Sequence, residues 1–190
     1  TGNPFKKSFQ SFYKFVVPRM YHGTFVISDS LKMYYQSRIS DRAGILLIPV
    51  LVDTEEFTAA ENTGRKMTIL SAGTQSELKD GTLTLIRAFS KLAQKHPGLS
   101  LTLVGGDPQS GDIKKAFALA RELKIADRIK FTGFVSRGNL IKYQKEAEIL
   151  VLAKPNSLHA EHCFPSKLAE YVSTSNPVVV TNTGEISGYL

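Results

Sequence analysis

Five short apolar runs alternate with helical patterns along the last two thirds of this sequence, at intervals of about thirty residues or less. Their apolar residues occupy successive positions rather than alternate ones, which indicates strands covered on both faces, as in a parallel sheet. The predicted strands are Met67–Ala72, Leu101–Gly105, Ile129–Gly133, Glu148–Ala153 and Pro177–Thr181. The pattern therefore predicts an α/β domain with a doubly wound parallel sheet.

Two apolar stripes of helical spacing lie between the predicted strands and would supply helices that cover the sheet. The first stripe consists of Leu85, Ala88, Phe89, Leu92 and Ala93. The second stripe consists of Ile113, Ala116, Phe117, Ala120 and Leu123. Each strand–helix–strand unit is expected to be right-handed, because that connection dominates in parallel sheets.

The sequence before residue 45 follows a different pattern. Phe25–Ser28 predicts a buried strand, an amphipathic helix is predicted after Ser30, and Ile45–Val52 is a further apolar run. We interpret residues 1–44 as an appendage or as the tail of a preceding domain, with a polar hinge at residues 61–64. Gly184–Ser187 resembles the opening of a helix that four residues cannot complete alone, so we expect a fragment of a longer protein.

Composition places the chain among ordinary globular domains, since 42% of its residues are hydrophobic and 22% are charged. Its single cysteine, Cys163, cannot form an internal disulfide, which favours a reducing compartment, and we expect a cytoplasmic protein. No apolar run approaches the roughly 20 residues that span a bilayer, and the N-terminal residues do not resemble a signal peptide.

The net charge of +7 favours acidic partners: phosphorylated ligands, nucleic acid or an anionic membrane surface. Four cations precede the first acidic residue, Asp29, in a segment rich in Phe and Tyr: Lys6, Lys7, Lys14 and Arg19. One interpretation is a helix that covers a core with its aromatic face. The other is a peripheral contact with the inner face of a membrane.

Ligands of a doubly wound sheet bind beyond the carboxyl ends of the strands, and two loops there carry anion-binding features. Pro165 is predicted at the first position of a helix. The N–H groups of Ser166, Lys167 and Leu168 would then be free to bind a phosphate. Glu170 follows one turn later, where a carboxylate either complements the helix dipole or accepts hydrogen bonds from a sugar diol.

The other loop, Gly73–Gly81, carries Lys79 next to the helix predicted from Thr82. A cation is disfavoured at a helix N-terminus, so Lys79 is either solvated or retained for the phosphate of a ligand. We favour the phosphate hypothesis.

Five ordered motifs together resemble the C-terminal, donor-binding half of the GT-B glycosyltransferases of family four, or group 1, which contains sucrose and mannosyl transferases. The motifs are Gly73…Lys79-Asp80-Gly81, Leu103–Gly106, Phe131–Val135, Phe164–Tyr171 and Asn176–Thr181. The resemblance covers roughly residues 24–190. It implies a Rossmann-like nucleotide-sugar-binding domain over residues 45–190, truncated at its C-terminus, with residues 1–44 as the tail of a missing acceptor-binding domain.

The same resemblance implies a hexosyltransferase that moves a sugar from a UDP-sugar or GDP-sugar to the hydroxyl of a glycan or lipid-linked acceptor. Retention of anomeric configuration and a place in polysaccharide or glycoconjugate biosynthesis are also implied. The isolated fragment would be poorly active, because the acceptor-binding half is absent from it.

Roles for individual residues follow from the resemblance as well. Lys79 would hold the diphosphate and Glu170 the ribose hydroxyls, and these are the two expected catalytic residues. Gly133 and Val135 would border the base. The remaining expected donor-binding residues are Gly73, Thr74, His162, Phe164, Pro165, Ser166 and Lys167.

The sequence departs from the family pattern at two of these positions. Thr74 stands where the family usually has an arginine. His162 stands where it has the first glutamate of a Glu-x₇-Glu motif, of which Glu170 matches the second. His162 is a candidate for a hydrogen bond to a sugar hydroxyl.

Metal and cofactor motifs are weak in this sequence. His159, His162 and Cys163 offer three zinc ligands, but no fourth ligand is near them in the sequence, so we expect no metal. The sequence contains no Asp-x-Asp pair, and we expect a metal-independent reaction whose nucleotide is substrate rather than cofactor. The phosphate-loop and dinucleotide fingerprints are also absent, which argues against phosphate-loop ATPases and nicotinamide enzymes.

Two alternatives from other classes stay open. A nucleotide-sugar epimerase of the same architecture would use a similar pocket. A nucleic-acid-binding module would instead use the basic, aromatic N-terminal segment. Because the positive charge is not focused on a recognisable RNA-binding motif, we do not expect nucleic acid as a partner.

Overall fold

The computed structural model describes residue 12 and residues 16–59, 64–157, 160–161 and 164–188. The chain divides into two compact units. The first consists of Thr1–Val50, Glu161–Phe164 and Gly184–Leu190, and the second of Leu51–Ala160 and Pro165–Thr183. Within the described ranges, no helix combines the length and the apolar character needed to cross a membrane. Half of the basic N-terminal segment before Asp29, namely residues 1–11 and 13–15, and residues 61–63 of the predicted hinge lie outside these ranges.

The first unit contains a two-stranded parallel sheet and a helix. Strand β1 (Gly23–Val26) pairs with β2 (Gly44–Leu47), and helix α1 (Asp29–Gln36) connects them. The Ser28 hydroxyl accepts a hydrogen bond from the Leu31 N–H at 3.1 Å and so caps α1, which ends the strand two residues earlier than predicted.

The last described residues belong to the same unit. Gly184–Gly188 forms a 3₁₀ helix, where the sequence predicted the opening turn of a helix. The Glu185 carboxylate accepts a hydrogen bond from the Ser30 N–H at 3.0 Å, so this turn is anchored to the start of α1.

The second unit is built on a five-stranded parallel sheet in the order β5-β4-β3-β6-β7. Its strands are β3 (Lys66–Ala72), β4 (Ser100–Val104), β5 (Ile129–Gly133), β6 (Ala147–Leu152) and β7 (Val178–Val180). For these five strands, every predicted boundary lies within one residue of the observed one, which confirms the predicted doubly wound sheet. The chain runs outward from β3 to β5 and then returns to the other side of β3, so a topological switch point lies between β3 and β6.

Within the described ranges, six helices of the second unit have assigned bounds, and they lie in the segments before and between these strands. They are α2 (Glu55–Ala59), α3 (Glu77–Asp80), α4 (Thr82–Lys95), α5 (Gly111–Glu122), α6 (Arg137–Glu146) and α7 (Ser166–Ser173). A 3₁₀ turn, Ala126–Arg128, precedes β5.

One face of the sheet packs against α4 and α5. The cluster there contains Ile69, Leu101 and Leu103 from the strands and Phe89 and Ala116 from the helices. Leu70 and Leu150 have no exposed surface either, and because neighbouring strand residues point to opposite faces they fill the other side. Helices α6 and α7 pack against β6 on that side.

The predicted helical stripes are wrong in part. On α4, Ala88 and Leu92 are exposed, and Ile86 is buried in their place. Two apolar rows lie side by side on this helix, so periodicity could not decide which row meets the sheet. On α5, Phe117 is 41% exposed and stacks on the Phe131 ring, with 4.4 Å between ring centroids.

A buried tyrosine joins α7 to the central strand. The Tyr171 hydroxyl accepts a hydrogen bond from the Ala72 N–H at 2.8 Å, and the side chain has no exposed surface. Burial raises the pKa of this hydroxyl above its usual range, so it stays neutral at physiological pH. The contact places α7 against the end of β3.

We expect Tyr171→Phe to destabilise the chain by about 1–3 kcal/mol, because it leaves the buried Ala72 N–H without an acceptor. The matched control is Tyr143→Phe, which removes a hydroxyl that accepts from Lys130 at the surface, at 2.9 Å. Its effect should stay within about 0.5 kcal/mol. The free energy of unfolding in urea measures both, and equal losses would contradict the assigned role of Tyr171.

Candidate functional site

The carboxyl ends of the five parallel strands form one edge of the second unit. Backbone hydrogen bonds join the loops at this edge. The Gly73 N–H donates to the Val104 carbonyl at 2.9 Å, and the Gly105 N–H donates to the Gly133 carbonyl at 2.8 Å. The structure therefore brings Gly73 and Gly133, two predicted site residues, into one connected group of loops.

Glycines are required where these loops touch. Gly105 has a φ of +94°, and a Cβ atom there would overlap the Gly73 carbonyl oxygen. Gly81 has a φ of +62°, and a Cβ atom there would overlap the Ala153 carbonyl oxygen. The loop after β3 therefore lies directly against the end of β6, at the switch point.

The side chain of Gln75, in the loop after β3, is buried and fixes this loop through hydrogen bonds. The sequence did not predict this role. The Gln75 amide group donates to the carbonyls of Ser71 at 3.1 Å and Val104 at 2.9 Å, and its carbonyl accepts from the Thr82 hydroxyl at 3.2 Å. The side chain is only 1% exposed. A buried glutamine in a predicted surface loop has no distinctive sequence signal.

Lys79 lies in α3, a one-turn helix that the sequence did not predict, and its side chain is exposed. Its acidic neighbours are engaged elsewhere. Asp80 accepts from the Thr74 hydroxyl at 2.7 Å, and Glu77 accepts from the Leu83 N–H at 2.6 Å. Across the described part of the chain, the Lys79 ammonium has no acidic partner, so it is available to an external anion.

Thr74 and Gly73 shape the same loop around Asp80. A Cβ atom at Gly73 would overlap the Asp80 carboxylate, which also accepts a hydrogen bond from the Ser76 N–H at 3.2 Å. The Thr74 hydroxyl is thus committed to Asp80 in this structure.

The amino terminus of α7 differs from its prediction. Pro165 is the N-cap residue rather than the first helical residue, and its carbonyl accepts a hydrogen bond from the Leu168 N–H at 2.9 Å. The prediction of a free Leu168 N–H is therefore wrong. No acceptor within the described ranges meets the N–H groups of Ser166 and Lys167, and these two remain the candidate anion donors.

Two other predicted site residues are described, and one lies outside the described residues. Val135 follows Gly133 in the loop before α6 and is half-buried, as is Phe164, which belongs to the first unit. His162 lies outside the described residues, together with His159 and Cys163. Among the residues that the structure describes, no three His, Cys, Asp or Glu side chains are grouped so that they could hold a metal ion.

Glu170 is held by two donors from α6. Its Oε1 accepts from Arg137 Nη1 at 2.6 Å, and its Oε2 accepts from Gln144 Nε2 at 3.1 Å. Arg137 also bonds Glu56 Oε2, through Nη2 at 2.8 Å and Nε at 3.1 Å. The pKa of Arg137 is raised, and its hydrogen bonds to Glu56 are the largest cause. Glu170 also raises this pKa, whereas burial lowers it.

Two cavities flank the sheet of the second unit. One, of about 450 Å³, lies beside the carboxyl ends of β4 and β5 and is lined by Gly106, Phe117, Arg121 and Gly133, among others. The other, of about 480 Å³, lies near the amino ends of the strands, beside Lys66 and Glu146. Because the two volumes are similar, position is the better guide to which cavity is the candidate ligand site. Folds of this class bind ligands at the carboxyl ends of the strands, which favours the cavity beside Gly133.

The parallel sheet order and the glycine loops joined at its carboxyl edge define a Rossmann-like α/β domain. The model of the family described as Glycosyl transferases group 1 matches residues 53–190 of this chain. The chain belongs to that family. Among curated proteins, no sequence is a significant match.

Solved GT-B glycosyltransferases share the fold. HepE of Anabaena, in complex with UDP-glucose, has a TM-score of 0.73 at 16% identity, over 92% of this chain and 48% of that one. Sucrose-phosphate synthase from Thermosynechococcus elongatus has a TM-score of 0.68 at 20% identity, over 99% of this chain and 48% of that one. A glycosyltransferase from Rickettsia africae has a TM-score of 0.69 at 18% identity, over 97% of this chain and 50% of that one. The chain spans about half the length of these proteins.

We expect Gly81→Ala to lower the free energy of unfolding by at least about 2 kcal/mol, since alanine disfavours the left-handed backbone and its Cβ would meet the Ala153 carbonyl. Gly138→Ala is the control, because Gly138 lies in α6 with nothing within 4 Å of a Cβ atom. That substitution should be neutral or stabilise by about 0.5–1 kcal/mol. Urea unfolding of both variants checks this, and a neutral Gly81→Ala would mean that the two loops do not touch.

Proposed function

We propose that the second unit binds a nucleoside-diphosphate sugar, and that the longer protein transfers the sugar to an acceptor hydroxyl. Membership of the group 1 family supports sugar transfer. The observation that carries the donor-binding proposal is the Lys79 ammonium, which has no acidic partner in the described part of the chain although Glu77 and Asp80 flank it. A built-in partner would have to be displaced before an external anion could bind.

The proposed chemistry is stabilisation of the departing diphosphate. Negative charge builds on the diphosphate as the glycosidic bond breaks, and positioned donors lower the energy of that state. Lys79 supplies one cation, and the N–H groups of Ser166 and Lys167 supply two donors at the positive end of the α7 dipole. We propose that these groups act without a metal ion.

The nucleoside would lie on the same edge of the sheet. Glu170 would accept hydrogen bonds from the ribose hydroxyls, and the loop of Gly133 and Val135 would border the base. The cavity beside Gly133 supports this placement, because its 450 Å³ is within the range of ligand sites. HepE, a protein of the same fold, has been solved with UDP-glucose, which supports a UDP-sugar as donor, with a GDP-sugar as the second candidate.

The remaining features of the proposed function concern the whole protein. We propose a hexosyltransferase that retains anomeric configuration and acts on a glycan or lipid-linked acceptor in polysaccharide or glycoconjugate biosynthesis. The proposed location is the cytoplasm, at the inner face of the membrane, where the basic and aromatic N-terminal segment would make peripheral contact.

Calorimetric titration of the 190-residue chain with UDP, GDP, ADP and their glucose or mannose conjugates tests donor binding. We expect one nucleoside diphosphate to bind at least tenfold more tightly than the others, since one base fits the edge beside Gly133 better than the rest. Binding should weaken only modestly with salt. Steeply salt-dependent binding to RNA, together with no response to any nucleotide, would contradict the proposal.

Lys79→Ala should lower the affinity for the preferred nucleoside diphosphate at least tenfold, because a charge-assisted hydrogen bond contributes about 1.5–3 kcal/mol. Lys91→Ala is the matched control, since Lys91 is an exposed lysine on α4, away from the loop. The affinity of Lys91→Ala for the same nucleoside diphosphate should stay within about twofold of that of the parent chain, as expected for an exposed surface substitution. Identical titration curves for Lys79→Ala and the parent chain would reject the role of Lys79.

A further inference from the structure

The Glu170 carboxylate is held on both of its oxygens. Arg137 Nη1 binds Oε1 at 2.6 Å and Gln144 Nε2 binds Oε2 at 3.1 Å. Over the residues that the structure describes, these are its hydrogen-bond partners. The side chain of Glu170 is 21% exposed, so it is not fully buried.

The remaining acceptor capacity of this carboxylate matches a diol. An ionised carboxylate offers about four lone-pair positions, two on each oxygen. One position on each oxygen of Glu170 is used by Arg137 or Gln144, which leaves one on each. A ribose can donate two hydrogen bonds through its vicinal 2′- and 3′-hydroxyls. The Glu170 carboxylate has the matching number of free acceptor positions, one on each oxygen.

Gln144 provides the buried side of this arrangement. Its side chain has no exposed surface, so its amide cannot turn toward water. The helix that carries it is fixed at its end by Asn176, whose Nδ2 donates to the carbonyls of Gln144 and Lys145 at 3.0 Å and of Ala147 at 2.9 Å. Gln144 therefore presents a donor to Glu170 from a fixed position.

Arg137 provides the outer side. Its guanidinium uses one edge for Glu56 and the remaining Nη1 for Glu170, so Glu56 on α2 anchors the arginine from the opposite direction. The planar fork of arginine suits such a two-sided contact, whereas a lysine ammonium is a point charge without this fixed geometry.

We propose that Arg137 and Gln144 are positioning residues that hold the Glu170 carboxylate in the orientation that receives the ribose hydroxyls of the nucleotide donor. This inference rests on the proposed function. A free glutamate side chain loses rotamer freedom when it binds a ligand, and the two donors have already fixed it. Neither residue needs to touch the nucleotide.

Calorimetric titrations with ribonucleotides and their 2′-deoxy forms test the proposal, using UDP against 2′-deoxy-UDP and GDP against 2′-deoxy-GDP. We expect the parent chain to prefer the ribo form about tenfold, since the deoxy form leaves one carboxylate acceptor unpaired. Arg137→Met should reduce the affinity for the ribo form about fivefold and leave the deoxy form within about twofold. Gln144→Met should act in the same direction.

Two further variants keep the experiment decisive. Arg137→Lys should restore part of the preference, because a lysine still reaches Glu170 with one charge. Arg87→Met is the matched control, since Arg87 is an exposed arginine on α4, and its ratio of ribo to deoxy affinity should equal that of the parent. Thermal unfolding of each variant shows that it is folded before titration.

The outcomes separate the inference from the function on which it rests. A parent chain that binds no nucleotide, or that shows no ribo preference, overturns the proposed role of Glu170 and the inference with it. A parent chain with the preference, retained in full by folded Arg137→Met and Gln144→Met, overturns the inference alone. Equal weakening of both nucleotide forms also overturns it, because Arg137 would then act on the phosphates or on the fold.

Discussion

The candidate site depends on direct backbone contact between the loops that follow β3, β4 and β5. The hydrogen bonds from Gly73 to Val104 and from Gly105 to Gly133 require the loops to approach more closely than side chains would allow. Glycine permits this approach because it has no Cβ atom and tolerates positive φ. The buried Gln75 side chain, within the first of these loops, donates further hydrogen bonds to the carbonyls of Ser71 and Val104. The loop of Lys79 is thereby tied to the loop that would border the base.

Lys79 has no acidic partner among the described residues, whereas Glu170 is paired with donors, and this distribution of charge suits an anionic ligand. Near Lys79, the carboxylates of Glu77 and Asp80 are occupied by N–H groups and hydroxyls of their own loop. Around Glu170 the opposite holds, since Arg137 and Gln144 are both directed at the carboxylate. An exposed ion pair contributes little to stability, at most about 1 kcal/mol, so the contact of Arg137 with Glu170 has more consequence for orientation than for folding.

The strands were predictable, whereas the helix faces were not. Runs such as Ile149–Leu152 are apolar at every position, and only a strand buried on both faces accommodates that pattern in so short a length. On α4, contact with the sheet buries Ile86 together with Leu85 and leaves Leu92 exposed, although all three are apolar. Pro165 is compatible with both the N-cap and the first helical position, so the number of free amides on α7 depended on where the loop enters.

The sequence by itself determined the parallel sheet and the order of its motifs, because periodicity and residue type are local properties of the chain. The tertiary structure alone decided which donors meet Glu170. Arg137 and Gln144 lie 33 and 26 residues before it, on a different helix, α6. It also decided that Lys79 lacks an acidic partner in the described chain. The carboxylates of Glu77 and Asp80 instead accept hydrogen bonds from nearby backbone N–H groups and hydroxyls. Such contacts depend on distances between segments remote in sequence, and no local pattern records those distances.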